Sequence, residues 1–197
     1  MSEQHDAMTT FRLGPGVSLA QAAPWHSAPV TLESPALQVM TDLTQVKAAT
    51  TQPSTSLRDA EQMMIYQGVR MLFVVSAMPA IEGLITATDL GSDAAMRLAQ
   101  ERRLRYHELC VADVMTPLAL LDAVEFDRLR SAQVGNVIAT LKLLGRNHLL
   151  VWQAASERAP QRVRGVLSRS QVERQLGQPI AITPIAASFA EIERALL

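Results

Sequence analysis

The chain holds a single cysteine, Cys110, among 197 residues. That excludes an intramolecular disulfide and a thiolate zinc cage, and it suits a reducing compartment. Charge of one sign is also missing. Lys plus Arg is 18 against 19 acids, a formal net charge of −1, so the clustered basic face that duplex DNA requires is not expected. The longest uncharged stretch, Leu13 to Leu32, is broken by Gly14, Pro15, Gly16, Pro24, His26 and Pro29 and will not make a membrane-spanning helix. The start carries Glu3 and Asp6 ahead of any apolar run, so no secretory leader is expected there. There is no nucleophile–base set, no cluster of metal ligands and no Gly-x-x-x-x-Gly-Lys phosphate loop. Neither a catalytic residue nor a metal site is expected. What the chain does have is apolar material, 48% hydrophobic against 19% charged. That is enough for a core in one large domain or two small ones. The expectation is a soluble, cytoplasmic, two-lobed protein that contacts neither nucleic acid nor membrane.

The most informative feature is a repeat. Val39-Met40-Thr41 returns as Val114-Met115-Thr116, 75 positions on. Arg70-Met71-Leu72-Phe73-Val74-Val75 returns 77 positions on as Asn147-His148-Leu149-Leu150-Val151-Trp152. Gly83-Leu84-Ile85-Thr86 returns 82 positions on as Gly165-Val166-Leu167-Ser168. The offsets grow in chain order, as insertions in the second copy would make them, and the polar stretch Ala154 to Gln161 is one such insertion.

Each copy reads as strand, helix, strand, strand, helix. In the first, Val46 to Thr51 is a short strand. Ser56 offers an N-cap with Asp59 three residues on, Ala60, Met63, Met64 and Gln67 follow at helical spacing, and Gly68 stops the helix. Met71 to Val75 has the apolar continuity of a buried strand, and Ile81 to Ala87 is the third strand. A helix opened by Thr86 should run to about Leu104. The second copy repeats this with helix Val134 to Leu144, Gly145 as its stop, strands His148 to Trp152 and Val163 to Leu167, and a last helix Ser168 to Leu176. One three-strand unit cannot bury its faces alone, whereas two packed together can.

This pattern resembles the cystathionine β-synthase (CBS) domain, and two in tandem resemble a Bateman module. The residues carrying the resemblance are Val-Met-Thr, the capped helix, the Arg-x-Leu-x-Val-Val strand and Gly83-Leu84-Ile85-Thr86-Ala87-Thr88-Asp89-Leu90. The resemblance covers Leu37 to Gly177. It implies a mixed α/β (α+β) fold of tandem βαββα repeats forming a two-lobed CBS pair with an extended N-terminal arm. The divisions are an arm over 1–36, a first repeat with linker helix over 37–106, a second repeat over 107–178, and a tail with a short helix over 179–197. It also implies a regulatory module without an obligatory cofactor. An adenosine-containing ligand (AMP, ADP, ATP or S-adenosylmethionine) would sit in the cleft between repeats, the chain would form a homodimer, and an effector protein would read the state. The alternative is an oligomerisation or interaction scaffold whose nucleotide site is vestigial. The family signature Gly-h-x-Thr/Ser-x-x-Asp maps onto Gly83, Ile85, Thr86 and Asp89. Ala48, Ala49 and Thr50 fall where such domains line the base pocket.

The chemistry of the signature is intelligible without the resemblance. A Thr at a strand end, three residues before an Asp in the first helical turn, sets a hydroxyl and a carboxylate beside backbone N–H groups that favour phosphate. The carboxylate can accept both hydroxyls of a ribose diol. The same spacing is also a capping box that only ends a helix. In the second copy, Ser168-Arg169-Ser170-Gln171 keeps the capping pattern but has no carboxylate, so Ser168 and Gln171 mark a degenerate second site. Arg70, at the head of its strand, either reaches the cleft and pairs with phosphate or is a plain surface residue. His148 reads as a packing residue rather than a switch, and His107 with Cys110 lacks an orienting third group. The apolar residues of the arm (Phe11, Leu13, Val17, Leu19, Trp25 and Val30) and of the tail (Phe189, Ile192, Leu196 and Leu197) read as packing against the body or a second subunit.

Overall fold

The computed structural model describes Arg12, residues 28–155 and residues 160–182. Two four-stranded sheets organise it. The strands are β1 (Met40–Asp42), β2 (Thr50–Thr51), β3 (Met71–Val74), β4 (Gly83–Thr86), β5 (Thr116–Pro117), β6 (Ala123–Glu125), β7 (His148–Gln153) and β8 (Arg162–Ser168). The helices are α1 (Leu57–Gln67), α2 (Ala87–Leu90), α3 (Asp93–Glu101), α4 (Val111–Val114), α5 (Phe126–Arg130), α6 (Val134–Leu144) and α7 (Arg169–Leu176). The mixed α/β class and the in-register duplication expected from sequence are both present.

One sheet has the order β2-β3-β4-β5 and the other β1-β8-β7-β6. In each, a parallel pair joined through helix (β2 with β3, β6 with β7) continues into an antiparallel neighbour. The fourth strand is exchanged. β1, from the first Val-Met-Thr motif, lies antiparallel on β8 of the second copy, and β5, from the second motif, lies on β4 of the first. Gly83 and Gly165 occupy equivalent points of this exchange, opposite Pro117 and Asp42.

Both glycines are required by close strand approach. A Cβ on Gly83 would collide with the Thr116 carbonyl oxygen, and one on Gly165 would lie 2.7 Å from Met40 Sδ and 2.8 Å from Thr41 O. Gly83→Ala should therefore cost about 1–3 kcal/mol, the usual scale of overpacking, because the obstacle is backbone that cannot swing aside. Urea unfolding of the variant measures this, and an unchanged midpoint would show that β5 is not held against β4 in solution.

Local sequence explains the elements. Ser56 Oγ accepts from Asp59 N at 3.1 Å to open α1, and Gly68 closes it at φ 65°. Gly145 does the same for α6 at φ 60°. The strand expected from Val46 shortens to β2 because Asp42 Oδ1 draws Thr44 N (2.9 Å) and Thr44 Oγ1 (2.6 Å) into a turn. The long helix expected after Thr86 divides into α2 and α3 at Gly91-Ser92. There Ser92 Oγ donates to Asp89 O at 2.7 Å and accepts from Ala95 N as a fresh cap.

Two outer cores back the sheets, one around Leu57, Leu72, Ile85 and Val111, the other around Val39, Val134, Leu149 and Leu167. Between the sheets, Phe73 and Leu84 of one meet Leu150 and Val166 of the other. These are equivalent residues of the two copies, so the lobes join across a pseudo-twofold. Of the arm, Val30 is buried and its N–H donates to Gln175 O at 3.0 Å. Phe11, Leu13, Val17, Leu19, Trp25 and the helix expected from Phe189 lie outside the described residues.

An ion pair pins the exchanged β1 to its host. Arg164 donates to Asp42 Oδ1 from Nε (3.0 Å) and to Oδ2 from Nη2 (2.8 Å), and its guanidinium stands 5.0 Å over the Phe126 ring. Burial works to raise the Asp42 pKa, but the Arg164 and Thr44 donors outweigh it and hold the carboxyl at about 2. A depressed carboxylate pKa stabilises the fold above the unfolded value and loses that contribution as pH falls through the folded one. The pair should thus contribute about 2 kcal/mol at neutral pH. Asp42→Asn should be weaker than wild type by about that much at pH 7 and indistinguishable from it near pH 2. Denaturant titrations at both pH values decide this.

Candidate functional site

Two clefts flank the central contact between the sheets, and the repeat makes their walls equivalent. The first lies where β4 runs into α2. Thr86 and Asp89 line it together with Leu84, Leu121 and Asp122, and Asn147 and His148 from the second copy complete it. Its volume is about 180 Å³. The second lies where β8 runs into α7. Ser168 and Gln171 line it with Ala48, Ala49 and Arg70 from the first copy, and its volume is about 590 Å³.

The expected residues are therefore divided. Thr86 and Asp89 share one cleft. Arg70, Ala48 and Ala49 face the other, beside Ser168 and Gln171, not beside Asp89. The chain segment facing Asp89 is instead 120–122, the second-copy equivalent of 47–49. Gly83 lines neither cleft, since its missing side chain makes room for β5. Ile85 is fully buried in the first lobe's core, and Thr50 is paired in the sheet opposite Phe73. Asp122 carries no local signal in the sequence: aligning the two copies through β2 and β6 makes it the equivalent of Ala49, and only the packing of the repeats brings it into the Asp89 cleft.

Asp89 has two tasks open to it. Its Oδ2 accepts from Thr86 N at 2.8 Å and from Thr86 Oγ1 at 2.7 Å, while Asp89 N donates to Thr86 Oγ1 at 3.3 Å. That is a complete capping box. Among the described residues, Oδ1 has no protein partner. One oxygen is thus committed to the cap, and the other is left for a donor in the cleft. Asp122 lies 3.6 Å from Arg146, which lines the same cleft.

Gln171 is used differently. Ser168 Oγ caps α7 by accepting from Gln171 N at 3.2 Å. The Gln171 side chain is buried, and its Nε2 donates to Gln175 Oε1 at 3.0 Å. Gln175 in turn donates to Gln38 O (3.1 Å) and Ala28 O (3.3 Å). The position that holds the carboxylate in the first copy therefore begins, in the second, a buried amide chain anchoring the arm.

His148, at the head of β7, forms part of the wall of both clefts. Burial lowers its pKa and the neighbouring Arg70 charge lowers it further, to about 4, so the imidazole is neutral at physiological pH. The Cys110 thiol is raised by burial and by Asp113, whose Oδ2 accepts from it at 3.1 Å. Raising a thiol's pKa makes it a poor nucleophile. Among the described residues no three His, Cys, Asp or Glu side chains converge on a metal position, and no helix is long and apolar enough to cross a membrane.

A paired-sheet body with exchanged lead strands and two equivalent clefts defines a class, the tandem CBS-domain pair. No protein-family model matches the chain, and no curated protein matches it. Solved structures do. A conserved protein from Pyrococcus horikoshii is 19% identical over 78% of this chain and 100% of its own, with TM-score 0.53. A protein with CBS domains from Burkholderia ambifaria MC40-6 is 19% identical over 70% of this chain and 89% of its own, with TM-score 0.50. CBSX2 in complex with AMP is 22% identical over 72% of this chain and 94% of its own, at TM-score 0.47. The chain has the fold of a CBS pair.

Proposed function

We propose that this chain is a regulatory module that binds an adenosine-containing ligand in the Asp89 cleft and signals through the packing of its two repeats. The observation that carries this reading is the division of labour at Asp89, one carboxylate oxygen capping α2 and the other without a protein partner at the cleft. A ribose diol supplies the donors such an oxygen lacks. The cleft's about 180 Å³ is below the roughly 300–1,000 Å³ of formed ligand pockets. A nucleoside must therefore part Leu121 from Leu84 and Leu150, which pack together between the sheets. Binding then acts on the contact between lobes, and that differential is what shifts a conformational equilibrium. An effector protein reads the shift. Calorimetric titration with AMP, adenosine and S-adenosylmethionine tests the reading, and the absence of binding by all three would end it.

A second role, self-association, rests on a separate observation. Tyr66 of α1 and Leu143 of α6 occupy equivalent positions in the two copies, and they are 93% and 75% exposed. Ile65 beside Tyr66 is 67% exposed. Paired apolar side chains on matching helices suit an isologous contact with a second copy. Light scattering should give twice the 21.5 kDa chain mass, and Tyr66→Glu with Leu143→Glu should return one chain mass.

A further inference from the structure

Gln171 and Gln175 are two of the three buried polar side chains among the described residues. Burying an amide is costly unless its donors and its acceptor are met. Those of Gln175 are met by partners on opposite sides of α7. Its Nε2 donates to Gln38 O at 3.1 Å and to Ala28 O at 3.3 Å, so both hydrogens of the NH₂ are used. Only an NH₂ can serve two carbonyls, and this fixes the amide's orientation, with Oε1 turned to accept from Gln171 Nε2 at 3.0 Å. Gln171 in turn stands in the wall of the second cleft, which Ala48, Arg70 and Phe73 of the first copy also line.

The two carbonyls bracket one segment. Between Ala28 and Gln38 the chain lies along the second lobe as a strap. Val30 N donates to Gln175 O (3.0 Å), Gly135 N to Leu32 O (2.8 Å), Val134 N to Ser34 O (2.9 Å) and Ala36 N to Ala132 O (2.9 Å). Val30 is buried in one core with Ala36, Val39 and Ile180. A single side-chain amide thus grips both ends of the strap, and its own acceptor is satisfied by a residue of the cleft wall. The first lobe is built differently. There Tyr106 Oη donates to Leu90 O at 2.7 Å, which ties the segment before the second Val-Met-Thr motif to α2 by a bond that ends on backbone. The Asp89 Oδ2 is used within its own cap.

We infer that Gln171 and Gln175 form a latch, which makes release of the strap over residues 28–38 and withdrawal of Gln171 from the wall of the second cleft one event. When Gln171 moves, Gln175 Oε1 is left buried without this donor. Turning the amide to find another takes Nε2 away from both carbonyls at once. In the other direction, a strap that lifts off leaves the Gln175 NH₂ unmet, and the amide that turns to satisfy it abandons Gln171. A half-satisfied buried network is the costly state, so the chain is either intact or undone. The coupling is reciprocal, as any coupling between two equilibria must be. A change in how the repeats pack at the second cleft thereby reaches the N-terminal arm. This goes beyond the ligand-sensing reading and does not depend on Asp89.

The test is hydrogen exchange of the full-length chain, read by NMR at the Val30 amide and at the side-chain amides of Gln171 and Gln175. The Val75 amide, held in the first lobe by Thr51 O at 2.9 Å, is the reference. In wild type under rising urea, Val30 and both side-chain amides should open together at one free energy and with little dependence on urea, the mark of a local event. Val75 should open only with the whole fold. Gln171→Met keeps the length of the side chain and removes its donor. It should speed exchange at Val30 roughly tenfold, the worth of one buried hydrogen bond. Val30→Ser acts on the strap alone and should speed exchange at the Gln171 side-chain amide by a similar factor. Circular dichroism establishes that both variants are folded, and the wild-type urea series requires neither. Separate opening of Val30 and the Gln175 side chain, opening of either only in step with Val75, or a variant that leaves the far end of the latch unmoved would overturn the inference. Adenosine binding, which reports on the Asp89 cleft, enters none of these readings, so failure of the latch is distinguishable from failure of the ligand-sensing reading.

Discussion

Asp89→Asn should weaken adenosine-ligand binding roughly ten- to a hundred-fold while leaving the protein folded. The carboxylate has to serve Thr86 N and Thr86 Oγ1 through Oδ2 and, in the complex, a ribose diol through the remaining acceptor capacity. Asn has one acceptor oxygen. Held by the α2 cap, that oxygen leaves an NH₂ facing the diol, which cannot accept. Turned to the diol, it leaves Thr86 N unsatisfied. Losing charge-assisted hydrogen bonds worth about 1.5–3 kcal/mol each gives the expected range. Gln171→Ala is the informative control. It should cost about 1–3 kcal/mol of stability, because it strands Gln175 in a buried amide chain. It should leave adenosine affinity unchanged. Equal affinities for wild type and Asp89→Asn would mean that the Thr86-x-x-Asp89 box only caps a helix, and that self-association is the chain's business.

The second large effect is on acid stability. His148 is held neutral by burial and by Arg70, with its pKa lowered to about 4 from an ordinary 6.5. Here the folded state binds the proton less well than the unfolded chain does. Stability therefore declines as pH falls through 6.5 and goes on declining until about 4, by about 3 kcal/mol in all. His148→Met places at this position the residue that its equivalent, Met71, already supplies in the first copy. Met is flexible and apolar and packs where the imidazole does. The variant's stability should be nearly flat between pH 6.5 and 4, where wild type falls. The Asp42–Arg164 pair acts in a separate window, between about 4 and 2, so the two effects can be read from one pH series of urea titrations. Parallel profiles for wild type and His148→Met would refute the assignment.

What the sequence revealed depended on whether the signal was local. Ser56, Gly68, Thr86 and Gly145 mark helix ends with side chains and backbone freedom that act within four residues, and each is where the spacing puts it. The repeat itself survived because core positions such as Phe73 and Leu150 must match to meet across the pseudo-twofold. The exchange of β1 and β5 was invisible, since nothing within Val39-Met40-Thr41 says which sheet it joins. The glycines that permit the exchange, Gly83 and Gly165, stand out in the sequence as matched members of the repeat, but nothing near them says that the approaching strand comes from the other copy. The same exchange explains the divided site. Ala48 and Ala49 are close to Thr86 in sequence, but packing across the pseudo-twofold sets them against Ser168, and it sets Asp122 against Asp89. From sequence alone, Arg70 reads equally as a cleft or a surface residue. Its cleft became visible only with Lys47 and Arg174, three cations scattered over 128 positions.

The central claim, that an adenosine ligand enters at Asp89 and parts the lobes there, is tested most directly by hydrogen–deuterium exchange of the full-length chain with and without AMP. Exchange should slow at the amides of residues 86–89 and of 120–122, with altered exchange at Leu150 where the sheets meet. Protection confined to residues 47–49 and 168–171, or none anywhere at saturating AMP, would contradict it.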